Sequence, residues 1–340
     1  MRVVATDLHR DHHPRTEFVL GRVVPAFEMP ERVERIIEAV RDSHSIIESA
    51  EHGRGPLERV HEPAYLDHLE TAWADWVAEG GEGPLVADTF ALEGVAASSP
   101  PRGAEARVGA YTFDASTPIL EGTWRAALAA ADCALTAADL LLGGDRAAYA
   151  LCRPPGHHAG RSFSGGYCYV NSAAVAAAAL REAAGPVAIL DLDYHHGNGT
   201  QSIFWDDPTV LYASLHADPD LEYPYFTGRA DERGAGESVL NLPLPFDTED
   251  DAYLETAQGA LERIAEHAPE ALIVSLGLDG HEDDPMGRFS LTDEAFRALG
   301  TMVAGLGPPI LVVQEGGYAL DSLGRVVRAF LDAVDQGPVA

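Results

Sequence analysis

The chain has 340 residues, 46% of them hydrophobic and 23% charged, with a formal net charge of -31. That apolar content builds a large core and argues against global disorder; length alone allows two domains, although α/β chains of this size often form one. There is no lysine and all 23 basic residues are arginine, so the acidic balance excludes a nucleic-acid backbone and an anionic membrane as partners and favours cationic ligands.

The N-terminal Met1-Arg-Val-Val-Ala-Thr-Asp7 meets charge too soon for a secretory signal, which points to a cytoplasmic protein. Val3–Ala5 reads as a strand, followed by a helix near Pro30 to Val40. From about Ala78 to Leu120 periodicity is weak, with Gly80-Gly81-Glu82-Gly83-Pro84 and Ser98-Ser99-Pro100-Pro101 as punctuation. A loop this long in a compact domain is functional or disordered. It reads as an insertion that shapes a site mouth or a dimer contact.

A long helix is predicted near Thr123 to Leu142; Asp132 and Asp139 in its Ala/Leu-rich face make it a core helix and not a membrane span. Next come the strand Ala147–Cys152, a helix near Ser172 to Ala183, the apolar run Val187 to Asp193, and the strand Val210–His216. A helix near Ala252 to His267 leads into the run Ala271 to Asp279. A helix near Asp293 to Ala304, the strand Ile310–Gln314 and a helix near Leu323 to Val334 follow. Strand and helix in alternation predict a largely parallel sheet covered on both faces. Cys133, Cys152 and Cys168 are odd in number and lack a C-x-x-C pair, so reduced thiols are expected.

The polar motifs share a location. Arg153-Pro-Pro-Gly-His157-His158, Asp193-Tyr-His195, Ser214-Leu215-His216, Asp279 and Glu315-Gly-Gly-Tyr318 each follow an apolar strand. In an open α/β sheet, ligands bind beyond the carboxyl ends of the strands. Extended chain places residues i and i+2 on one side, so Asp193 and His195 leave together, just before Gly197-Asn198-Gly199. Asp279 ends a second such run. Taken singly, Asp193 is equally a turn carboxylate and His195 a core histidine. Together, two carboxylates and one imidazole leave a coordination position open, as in a catalytic metal site. The donor set suits Zn²⁺ and also accepts Fe²⁺ or Co²⁺.

His157 and His158 are candidate proton carriers. Asp191, two residues before Asp193, can hold one imidazole charged; Asn198 can orient the other without a carboxylate partner. Tyr318 follows two glycines that permit close approach, and its phenol can donate to a developing oxyanion or simply pack. Gly165-Gly166-Tyr167 and Tyr223-Pro-Tyr225-Phe226 are loop aromatics that either pack locally or form a slot for an aliphatic chain.

These residues in this order, as RPPGHHA, GGYCYVN, DLDYHHGNGTQ, SLGLD with DDP after it, and EGGY, resemble the zinc-dependent histone deacetylase superfamily from about Tyr149 to Tyr318. Thr16-Glu17-Phe18, Pro25-Ala-Phe-Glu-Met-Pro30, Leu69-Glu-Thr-Ala-Trp-Ala-Asp-Trp76, Gly122-Thr123-Trp124 and the insertion are similar to its acetylpolyamine amidohydrolase branch. The resemblance implies a single-domain α/β arginase/deacetylase fold over residues 1–340, with a central eight-stranded parallel sheet and a loop insertion at about 78–120. It implies hydrolysis of acetylated amines to acetate, acetylpolyamines first, with protein acetyllysine or another small acylated amine as the alternative.

Residue by residue, the resemblance implies Zn²⁺ on Asp193, His195 and Asp279, and His158 as general base and then general acid. His157, backed by Asp191, stays electrostatic, and Tyr318 polarises the amide carbonyl. Gly166, Tyr167 and Tyr225 border the channel. A structural K⁺ is implied near Asp191, Asp193, His195, Ser214 and Leu215. Glu17 and Glu105 face the cationic end of the substrate, and the chain forms a homodimer. Two positions depart from the branch: Ser116 stands where it has a further glutamate, with Asp114 close by, and Gly280-His281-Glu282 replaces Thr-Phe-Glu. The rival on the same fold is an arginase-like two-metal hydrolase, for which His281 offers an imidazole but Gly197 offers no carboxylate.

Overall fold

The computed structural model describes residues 1–19, 21–92 and 99–337. In chain order its strands are β1 (Arg2–Ala5), β2 (Thr16–Val19), β3 (Arg22–Pro25), β4 (Ser45–Glu48), β5 (Ala147–Ala150), β6 (Val187–Asp191), β7 (Val210–Ala217), β8 (Val239–Leu244), β9 (Ala271–Leu276) and β10 (Ile310–Gln314). Its α-helices are α1 (Glu31–Val40), α2 (Pro63–Ala78), α3 (Ala104–Val108), α4 (Thr123–Leu142), α5 (Ser172–Ala184), α6 (Asn198–Phe204), α7 (Asp250–His267), α8 (Asp293–Ala304) and α9 (Leu320–Gln336).

Eight strands form one sheet in the order β4-β1-β5-β10-β9-β6-β7-β8, and every neighbouring pair is parallel. β2 and β3 make a separate antiparallel hairpin. The alternation of strand side chains explains the apolar runs. Val187 and Ile189 of β6 enter one core with the alanine-rich faces of α4 and α5. Ala188 and Leu190 enter the other, with residues of α1, α7, α8 and α9. A strand buried on both faces reads as continuously hydrophobic, and each fully buried Val, Leu or Ile contributes about 1.5–3 kcal/mol.

The helices carry their own stops. The Asn171 side chain accepts from Ala174 N at the start of α5, and the helix ends at Gly185, whose φ is +123°. Thr292 caps α8, with Asp293 and Glu294 in its first turn, a placement that suits the helix dipole. α4 packs on α5 inside the protein; no helix among the described residues is long and apolar enough to cross a membrane. The three cysteines are buried and unpaired.

The structure departs from the sequence reading at several elements. β4 and β8, the two edges of the sheet, were not anticipated, nor were the hairpin and α2, α3 and α6. β6 stops at Asp191, short of Asp193. Within the 78–120 insertion, α3 forms, Leu85 bridges Ile119, and Thr112 bridges Ser164. Residues 93–98, which include Ser98 of the Ser-Ser-Pro-Pro run, lie outside the described residues.

Candidate active site

The carboxyl ends of β5, β6, β9 and β10 supply the site. Past β6 the chain bends, with carboxylates as the pivots: Asp193 N donates to Asp191 Oδ1 at 3.2 Å, and His195 N donates to Asp193 Oδ1 at 3.0 Å. Asp279, just past β9, accepts from Tyr194 N at 3.0 Å. His195 Nδ1 lies 2.9 Å from Asp279 Oδ2 and 3.4 Å from Asp193 Oδ1. One ligand atom from each of Asp193, His195 and Asp279 falls within 4.8 Å of the others. The i and i+2 relation of Asp193 and His195 therefore holds, through turns and not through a strand.

Glycines keep this space open. A Cβ on Gly316 would sit 2.6 Å from Asp193 Oδ2 and 2.8 Å from Asp279 Oδ2, and one on Gly277 would sit 2.2 Å from Asp193 Oδ2. Burial and the neighbouring Asp193 charge push the Asp279 carboxyl up to about 7. Burial opposes charge on His195, but the hydrogen bonds it donates to the Asp193 and Asp279 carboxylates raise it to about 10. Two buried carboxylates this close compete for protons, which a divalent cation would replace. Two oxygens and one nitrogen in a glycine-lined gap fit a zinc ion.

The histidine pair sits on the loop after β5. Gly156 N and His157 N both donate to Glu315 Oε2, at 2.7 and 3.1 Å, so a buried glutamate from beyond β10 fixes that loop. Sequence reasoning quoted Glu315 within a motif but gave it no role. Burial pushes its carboxyl up to about 7. His157 Nδ1 lies 3.2 Å from Asp191 Oδ2, and His158 Nδ1 lies 2.7 Å from Asn198 Oδ1. Burial opposes charge on His157, yet the Asp193 and Asp191 carboxylates hold it up at about 10. His158 has no such partner; burial, then the charges of His157 and His195, push it well below the usual imidazole value. The two adjacent imidazoles thus face different partners, a carboxylate for His157 and an amide oxygen for His158.

Tyr318 is buried, and its amide and that of Ala319 donate to Asp284 Oδ2 at 2.6 and 3.0 Å. Arg32, on α1, donates through Nε to Gly317 O at 2.6 Å and through a terminal nitrogen to Glu315 O at 2.5 Å. Glu28 pairs with Arg32 at 3.0 Å and with Arg153 at 2.7 Å, all three being buried. This network from the N-terminal segment was absent from the sequence reading.

A cavity of about 340 Å³ opens over His157, His158, Asp193, His195 and Tyr318. Gly166, Tyr167 and Tyr225 line it, as does Tyr223. The inner ring is Tyr223, whose centroid is 5.1 Å from that of His158 and 5.9 Å from that of His195. Tyr225 stands at the mouth, 45% exposed. The Tyr-Pro-Tyr spacing alone did not tell which ring turns inward. Tyr167 and Tyr225 both have left-handed backbones, with φ of 66° and 67°, a strain held by surrounding contacts. Asp114 supplies two of those: its Oδ2 accepts from Gly166 N at 2.9 Å and from Tyr223 OH at 2.7 Å.

The two expected cation-facing residues, Glu17 and Glu105, lie outside the lining of the metal cavity of their own chain. Glu17 is buried, accepts from Tyr167 OH at 3.0 Å, and lines an adjoining recess of about 520 Å³ instead of the metal cavity. Glu105 lies exposed on the first turn of α3 and does not line the cavity of its own chain. α3 directs its other face, Ala104 and Val108, into the core. Ser116 lines the cavity and donates to Asp114 Oδ2 at 2.7 Å. Asp191 and Ser214 are register partners on β6 and β7, with Leu215 next along β7. His281 turns away from the metal ligands, its Nε2 being 3.1 Å from Asp293 Oδ1, so the two-metal rival loses its extra imidazole.

Comparison with known proteins agrees with this geometry. The histone deacetylase domain family matches residues 26–334. Acetylpolyamine amidohydrolase 1 of Pseudomonas aeruginosa is 46% identical over 331 residues, covering 95% of this chain and 96% of that protein. The acetylpolyamine amidohydrolase of Mycoplana ramosa is 42% identical over 342 residues, covering 98% and 99%. The crystal structure of an acetylpolyamine aminohydrolase from Burkholderia pseudomallei superposes with a TM-score of 0.93 at 40% identity, covering 98% of each chain. Matched along nearly its whole length in sequence and in fold, the chain belongs to the histone deacetylase domain family.

Proposed function

We propose that this enzyme is a zinc-dependent deacetylase that hydrolyses acetylated small cationic amines, acetylpolyamines first, to acetate and the free amine. The observation that carries the reading is the placing of His157 against Asp191 and of His158 against Asn198, beside the Asp193-His195-Asp279 cluster. Zinc on Asp193, His195 and Asp279 supplies Lewis acidity toward the acetyl carbonyl and toward water. Asn198 Oδ1 is an acceptor, so His158 Nδ1 carries the proton it faces and Nε2 is free. That nitrogen takes the proton of the attacking water and later delivers it to the leaving amine. His157 keeps its charge against Asp191 and Asp193, and balances the site without exchanging protons. The Tyr318 hydroxyl donates to the carbonyl oxygen as negative charge develops there. Tyr167, Tyr223 and, at the mouth, Tyr225 flank the alkyl chain beside Gly166.

The family and the sequence resemblance support three further parts of the proposal. The chain acts as one deacetylase domain over residues 1–340 in the cytoplasm. K⁺ binds where Asp191 and Ser214 stand in register, with Asp193, His195 and Leu215 beside them. The protein is a homodimer in which the insertion, with exposed Glu105, borders the mouth of a second copy. A monomer by light scattering would remove that last part. The activity is tested by acetate release from acetylputrescine, acetylcadaverine, acetylspermidine and an acetyllysine peptide, with Asp193→Ala as control. Preference for the polyamines supports the reading; preference for the peptide replaces it with a protein deacetylase.

A further inference from the structure

We infer that Glu222 receives the second, cationic nitrogen of the substrate, an assignment that rests on the small-amine activity proposed above. A free ammonium entering a narrow apolar slot needs an anionic acceptor near it, and a charge-assisted hydrogen bond is the strongest such contact. Among the described residues, Asp114, Asp193 and Glu222 supply the carboxylates that line the metal cavity. Asp193 is committed to the metal. Asp114 is already filled: Ser116 N, Ser116 Oγ, Thr117 Oγ1, Gly166 N and Tyr223 OH all donate to it. A carboxylate offers roughly four lone-pair positions, so Asp114 has none to give.

Glu222 differs. Its Oε2 accepts from Tyr194 OH and its Oε1 from Tyr223 N, each at 3.0 Å. Each oxygen therefore keeps a free lone pair, on a half-buried side chain at the cavity. The two contacts hold the carboxylate without consuming it. Tyr194 lies between the ligands Asp193 and His195, and its ring is buried. The anion is thus fixed to the metal loop through one rigid aromatic side chain. That arrangement selects one spacing between amide and ammonium, and it replaces the charge that Ser116 does not carry. The other expected carboxylates compete poorly: Glu17 is tied to Tyr167 in the adjoining recess, and Glu105 lies outside the cavity.

The test compares N-acetylputrescine with N-pentylacetamide, a neutral isostere of the same length, on zinc-loaded enzyme. The wild type is expected to prefer the cation. Glu222→Gln is expected to raise KM for acetylputrescine about 10-fold or more, the size of a hydrogen bond to a charged group. It should leave KM for the neutral amide and kcat for both unchanged. Glu222→Asp keeps the charge but retracts it, and should shift preference toward acetylcadaverine. Equal loss on both substrates in Glu222→Gln would overturn the assignment, since it would mean that Glu222 acts only by holding Tyr194. An unchanged preference for the cation would overturn it as well, and loss of that preference in Glu17→Gln instead would move the role to Glu17. No preference for the cation in the wild type would sink the small-cation reading itself.

Discussion

The guanidinium of Arg32 lies 4.8 Å from the ring centre of Tyr318 and donates to the carbonyls on the loop before it. An N-terminal helix therefore helps set the angle of the phenol beyond the carboxyl end of β10. Tyr318→Phe is expected to lower kcat by about 10²-fold or more, the effect of losing an oxyanion donor. Arg32→Lys keeps the charge but loses the planar fork that serves two carbonyls. It should lower kcat while KM for acetylated amines stays near the wild-type value. Steady-state kinetics check both, and a wild-type kcat in Arg32→Lys would show that the loop holds Tyr318 unaided.

Glu28 is the counter-charge for two buried guanidiniums. Burial opposes its ionisation, but Arg153 and Arg32 hold its carboxyl below the ordinary value of 4.5. Its stabilisation is thus complete above that ordinary value and is lost as pH falls through the lower folded one. Glu28→Gln should cost about 3–5 kcal/mol, because it leaves buried charges uncompensated. Urea unfolding at neutral pH measures the loss, and a series toward acid pH should show the variant converging on the wild type.

Metal removal has a stability signature of its own. A ligand that binds only the folded state stabilises it by about 4 kcal/mol at 1,000 times its Kd. Chelated protein is expected to melt lower and to recover on addition of zinc, with one transition-metal ion bound per chain. Elemental analysis of the reloaded enzyme checks the ratio. Two tightly bound ions would restore the two-metal reading that the turned-away His281 argues against.

Gly316→Ala tests the cradle directly. The added methyl group would collide with Asp193 and Asp279, both held by backbone amides of the same loops. Zinc content and activity should fall together while far-UV circular dichroism remains that of the wild type. Full zinc occupancy in Gly316→Ala would mean that the carboxylates can move aside.

How much of this was readable in the sequence depended on burial. β5, β6, β7, β9 and β10 are buried on both faces and showed as apolar runs, and the motifs at their ends formed the site. β4 reads Ser-Ile-Ile-Glu and is partly exposed, while β8 includes Pro243; edge strands lack the uninterrupted apolar signature. Asn198 and Asp191 were legible because they flank the Asp193-Tyr-His195 motif, while their partners His158 and His157, 40 and 34 residues earlier, stood out as a motif of their own. Arg32, Glu28 and Arg153 were not, since their pairing joins segments 125 residues apart and nothing local in the sequence marks it. Where Glu105 would face was not legible, since a motif position carries a residue type but not a direction; α3 leaves it exposed and outside the cavity of its own chain.

Asp114 joins three stretches of chain that are remote in sequence, and it does so without touching the metal ligands. The gauge of the entrance is therefore set by a different part of the protein from the part that performs hydrolysis. Loops can change over evolution while the scaffold holds reacting groups in place. Substitutions gathering around Asp114 would retune which amines are admitted and leave the bond-breaking step intact, so that substrate range and chemistry can diverge at separate rates.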